Sequence, residues 1–163
     1  MGCLQQRRMA GLLACVVLAI GALVYLLDRP PEFTPFFAPF SVSGLFPPVF
    51  GAVGQSLPTF AHVFSFSIFT ALLLKDARRG VVAACCGWLV ADAAFEAGQH
   101  PAIAAMLSAW LPSGGAFAEL VQPIRNYFMS GTFDPWDLLS IALGAGAACG
   151  LLFWAIDQDR DDG

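Results

Sequence analysis

The chain has 163 residues, 58% apolar and 12% charged, against about 25% charged in an ordinary soluble domain. So few polar side chains cannot cover a globule in water, which excludes a soluble fold and points to one compact membrane domain. The net charge of −4 and the lack of a basic stripe exclude a nucleic-acid partner.

The first apolar run, Met9 to Leu27, carries no charge and has about the 20 residues a crossing helix needs. Two processing signals nearby are set aside. Leu12-Leu13-Ala14-Cys15 resembles a lipoprotein cleavage box, but the apolar stretch before Cys15 is far shorter than the ~7–15 residues of a signal core. Met1-Gly2-Cys3 resembles an acylation start, but Gln6 stands where a myristoylation signal has Ser or Thr.

The segment 28–57 holds six Pro and six Phe. Proline interrupts helices, and phenylalanine is costly in open water. This predicts a loop on the membrane surface or roofing the outer end of the bundle. A second span, 58–74, has His62 as its only ionisable group before Lys75. The third, 81–97, begins cleanly apolar and acquires Asp92 and Glu96 in its far half. The outer loop 98–134 predicts one or two short amphipathic helices, Ala102 to Leu111 and Ala116 to Met129, with a break or kink near Pro123. The fourth span, 135–156, opens on Asp134-Pro135-Trp136-Asp137, where Asp134 suits the N-cap and Pro135 the first helical position. The fold class is therefore an all-α membrane protein with four transmembrane helices and short interfacial helices in the outer loops.

Placing Arg7 and Arg8 inside also puts Lys75, Arg78, Arg79 and Arg160 inside and leaves Arg29 and Arg125 outside. The positive-inside rule then gives cytoplasmic N- and C-termini. With that topology His62, Asp92, Glu96, Gln99, Asp134 and Asp137 arrive at one level near the outer surface. Ionisable groups at membrane depth are costly and usually face a partner, a cavity or a pathway. A shared outer pocket is predicted, roofed by the Phe/Pro loop. Asp92, Glu96 and Gln99 recur at i, i+4 and i+7, on one helix face. That stripe suits a general acid/base pair, a cation site or hydrogen bonding to a polar headgroup. His62 suits a hydrogen bond to one of the carboxylates. No HxxxH or HExxH spacing is present, so no metal is expected. Ser65 and Ser67 are read as bonding back to their own helix rather than as nucleophiles.

The run Gly146-Ala147-Ala148-Cys149-Gly150 and the Gly87 face of the third span predict close helix packing, within the monomer or between copies. The five cysteines show no CxxC pair and are read as small hydrophobes.

Across 58–150, the order of residues resembles the VanZ-like family, small bacterial membrane proteins named for a teicoplanin-resistance protein. The matching positions are His62 in one span, Glu96 and Gln99 at the end of the next, Asp134 and Asp137 opening the last, and Gly144 within it. The family usually has Asn where this chain has Ile141, and an Arg where it has Gly131-Thr132-Phe133. The resemblance implies a place in the bacterial inner membrane and a cell-envelope role. The leading expectation is a non-catalytic protein whose outer pocket binds an amphiphile or lipid-linked envelope molecule. Membrane lipid is the expected partner, with other membrane proteins a further candidate. Two alternatives stand beside it: an accessory subunit of a membrane complex, and a headgroup hydrolase using Glu96 or Asp92 as base, oriented by His62. No nucleotide loop, lipid-phosphatase motif, haem motif or retinal-type lysine is present, and no cofactor is expected.

Overall fold

A computed structural model of the chain describes residues 2–30, 38–74, 77–112 and 114–161. Expectations placed on Lys75 and on Phe33, Phe36 and Phe37 lie outside the described residues, as do those on the side chains of Cys3 and Arg160. Among the described residues six α-helices form: α1 Gly2–Leu27, α2 Val53–Leu73, α3 Ala77–Gly98, α4 Pro101–Trp110, α5 Ala116–Ser130 and α6 Pro135–Asp161, with one 3-10 turn at Ala38–Phe40. Among the described residues there is no strand. Four helices, α1, α2, α3 and α6, are long and apolar enough to cross a membrane. In hydrocarbon a helix satisfies its own backbone, which makes it the natural element for such runs.

The four long helices alternate in direction. Between α1 and α2, Arg7 meets the end of α2, Ser65 meets Ala14, and Ala61 meets Gly21. Between α3 and α6, Arg78 pairs with Asp157 at one end and Glu96 meets Asp134 at the other. The centre of the bundle is α2, which packs on α1, α3 and α6. One buried cluster, including Ala14, Ile68, Ala84, Ala148 and Leu152, fills the half nearer the termini; a second, of Val63, Ile141 and Ala145, lies nearer the opposite end. Alanines and glycines set the spacing. A Cβ on Gly21 would sit 2.8 Å from Ala61 Cβ, and one on Gly144 would sit 2.8 Å from the Phe60 carbonyl oxygen.

Two expectations are corrected here. The first concerns packing within the monomer: Gly87, Gly146 and Gly150 have no neighbouring atom within 4 Å of where a Cβ would stand. Their face of the bundle is exposed, and the close approach falls instead on Gly144, two residues from Gly146. The second concerns the start of α2, which is Val53 rather than Pro58. Asp28 accepts the backbone N–H groups of Val49 and Phe50, at 2.8 Å each, and this clamp turns the chain into the helix earlier. Pro58 then lies six residues in, where it donates nothing to the Gly54 carbonyl.

The segment 98–134 forms the two short helices α4 and α5, and α5 continues as one helix through Pro123. Arg125 on α5 donates to the carbonyls of Ser108 and Leu111, at 2.8 and 2.7 Å, closing the end of α4. Phe128 stacks on Phe95 with ring centres 5.9 Å apart, and its ring fills the space that a Cβ on Gly98 would need. These contacts fold α5 back against the far end of α3, where the polar residues gather.

Candidate functional site

His62 faces outward from α2 and Asp92 from α3, and His62 Nδ1 lies 2.7 Å from Asp92 Oδ2. The imidazole packs against Phe66 at 4.5 Å and edge-on to Trp88 at 5.4 Å between ring centres. Trp88 is itself anchored by its Nε1–H donating to Thr70 Oγ1 at 2.9 Å. The ring is therefore held on three sides, with Nδ1 committed and Nε2 left over. The His62 side chain is 41% exposed and that of Asp92 13%. Both line a lateral cavity of about 620 Å³ whose other walls include Pro58, Trp88, Phe95, Ile124 and Ile141.

One turn further along α3, Glu96 is buried, with 8% of its surface exposed. Its Oε1 accepts the backbone N–H of Asp134 at 2.6 Å, a group that the start of α6 would otherwise leave unpaired. Asp134 Oδ1 in turn accepts the N–H of Trp136 at 2.9 Å, so Asp134 caps α6 and Glu96 holds the cap in place. Asp137 is hydrogen-bonded to the hydroxyls of Ser56 and Thr59, while its Oδ1 is buried with no partner.

Glu96, Gln99, Asp134 and Asp137 line a second, polar cavity of about 610 Å³, together with Asp28 and Arg29. Glu96, Tyr25, Thr59 and Tyr127 belong to both cavities. The site is thus two adjoining chambers with Glu96 on the wall between them. His62 and Asp92 lie in the apolar one, and Gln99, Asp134 and Asp137 in the polar one. His100 lines neither and is exposed, with Phe133 5.5 Å away between ring centres.

Residues of the loop 28–57 line the polar chamber, though its described phenylalanines do not. Phe40, Leu45, Phe46 and Val49 are exposed and face neither chamber. Pro48, Gly51, Gly54 and Gln55 cover the polar chamber instead, and Pro123, Ile124 and Tyr127 of α5 wall the apolar one. The Asp28 clamp and the donation from Arg29 Nη2 to the Gln55 carbonyl draw the end of the loop inward.

Among the described residues no three His, Cys, Asp or Glu side chains are grouped to hold a metal ion. Tyr127, half-buried, has its hydroxyl pKa raised by burial, partly offset by a hydrogen bond with Gln99. Tyr25, Thr59, Tyr127, Asp28 and Arg29 were not singled out from the sequence. Uncharged groups near a span end carry no distinguishing signal, and Asp28 and Arg29 looked like ordinary loop charges.

No family model, no curated protein and no solved structure matches this chain. The VanZ-like resemblance accordingly rests on the ordered residues His62, Glu96, Gln99, Asp134, Asp137 and Gly144 alone.

Proposed function

We propose that the protein is a VanZ-like, non-catalytic membrane protein of the bacterial inner membrane whose outer-side site binds an amphiphile, with the polar headgroup in the polar chamber and the hydrocarbon in the lateral one. The observation that carries this reading is Glu96, which lies on the boundary of an apolar and a polar cavity. An amphiphile has the same division of chemistry across one molecule, and ligand pockets of about 300–1,000 Å³ suit such a molecule. In the orientation proposed, the termini face the cytoplasm, α4 and α5 lie at the outer interface, and the headgroup is reached from outside. Arg7, Arg8, Arg78 and Arg79 at one end against Arg29 and Arg125 at the other support that orientation.

The test is gentle purification followed by mass spectrometry of bound lipid. Wild type is expected to retain a lipid that Glu96→Gln loses. Equal retention by both, or none by wild type, removes the reading.

A second reading, an accessory subunit of a membrane complex, draws on the exposed glycines Gly87 on α3 and Gly146 and Gly150 on α6. Small-residue faces allow close helix approach. Stoichiometric co-purifying proteins would favour it.

A further inference from the structure

The site has a third branch. A cavity of about 590 Å³ lies between the first turns of α2 and α6, walled by Val53, Leu57, Phe60, Trp136 and Leu139. It shares Gln55 and Asp134 with the polar chamber. It shares no residue with the lateral cavity beside His62. One polar chamber thus adjoins two separate, mostly apolar cavities, one to either side of the outer end of α2.

We propose that the ligand is a two-chain amphiphile of the glycerolipid kind that straddles the outer ends of α2 and α6, with its headgroup in the polar chamber and one hydrocarbon chain in each branch. This rests on the amphiphile reading above and names the class of molecule. A one-chain lipid, such as a polyprenyl carrier, would occupy one branch and leave an equally apolar and similarly sized one without a role. Both branches open sideways. Leu139 is 47% exposed on one and Ile124 50% exposed on the other, so at bilayer depth a chain enters each from surrounding hydrocarbon. Trp136, 68% exposed beside the α6 branch, is the residue type that settles at the headgroup level. The two chains must part by about one helix diameter, ~10 Å, and the flexible arms that join them to the headgroup permit this.

The experiment uses delipidated full-length protein offered an equimolar mixture of a diacyl glycerophospholipid, its monoacyl form and a polyprenyl phosphate, read by native mass spectrometry. A one-to-one diacyl adduct is expected to exceed the other two, because only a two-chain lipid fills both branches. Leu139→Trp and Ile124→Trp plug one branch each at exposed positions. Each is expected to reduce the diacyl adduct and to spare the monoacyl adduct. Equal or preferred binding of the monoacyl or polyprenyl lipid overturns the two-chain proposal and leaves the amphiphile reading standing. So does an effect of only one of the two plugs. No adduct with any of the three lipids overturns both. If a plug disturbs folding, seen as a shifted size-exclusion profile, the wild-type competition decides alone.

Discussion

Glu96 Oε1 accepts the backbone N–H of Asp134 at 2.6 Å, joining the C-terminal end of α3 to the first residue before α6. One side chain therefore both caps the bundle and faces the two chambers. The two roles separate under substitution. Glu96→Gln keeps a carbonyl oxygen for the Asp134 N–H and removes the charge, so it should fold near wild-type stability and lose bound lipid. Glu96→Ala leaves that N–H unpaired, which costs about 1–3 kcal/mol. Thermal unfolding in detergent, measured beside lipid retention, checks both. Equal destabilisation by the two variants would mean that the charge itself holds the structure.

His62 and Asp92 form another polar contact within the bundle, across α2 and α3. A double-mutant cycle with His62→Ala and Asp92→Ala should give a coupling energy of about 0.5–1.5 kcal/mol, the range for polar pairs between membrane helices. Additive effects would show that the contact contributes nothing. The same pair sharpens the hydrolase alternative. Glu96 is occupied by Asp134, and Asp92 by His62, so the ring nitrogen free to act as base is His62 Nε2. Purified protein is expected to release neither fatty acid nor headgroup from supplied envelope lipids. Release by wild type that vanishes in His62→Asn would overturn the non-catalytic reading.

The glycines of α6 should respond in opposite ways. Gly144→Ala places a methyl group 2.8 Å from the Phe60 carbonyl oxygen, and overpacking of this kind costs about 1–3 kcal/mol. Gly146→Ala enters open space and removes a flexible residue from a helix interior, so it should be neutral or stabilising by about 0.5–1 kcal/mol. Melting temperatures in detergent decide this. A loss at Gly146 alone, dependent on protein concentration, would instead point to contact between copies.

The four long helices were legible because each is a long, mostly apolar run, a property of sequence alone. The Asp134 cap was legible for a similar reason: Asp followed by Pro and an acid describes the first turn without reference to anything distant. Grouping His62 with Asp92 took only the assumption of alternating helices. What escaped notice depends on contacts across the chain. Asp28 is 21 residues from the Val49 N–H it accepts, and no local pattern announces that clamp. The small-residue pattern marked the α6 helix as able to pack closely, but Gly144 and Gly146 point about 200° apart, and only the position of α2 selects between them. The division into separate chambers was equally hidden, because it follows from α5 folding back on Phe95.

The proposed orientation makes the last prediction. Arg7 donates to the Leu72 carbonyl and Arg78 pairs with Asp157, so the basic residues near the N-terminus and at the α2–α3 turn gather at one end of the bundle, opposite Arg29 and Arg125. The exposed Arg78–Asp157 pair adds little stability, but the clustered positive charge biases which end stays in the cytoplasm. Reporter fusions after Asp28, Lys75 and Gly163 should read periplasmic, cytoplasmic and cytoplasmic. A cytoplasmic signal at Asp28, or a periplasmic one at either other site, would invert the topology. It would move Glu96 and both apolar branches to the inner leaflet, and the ligand would then come from that side.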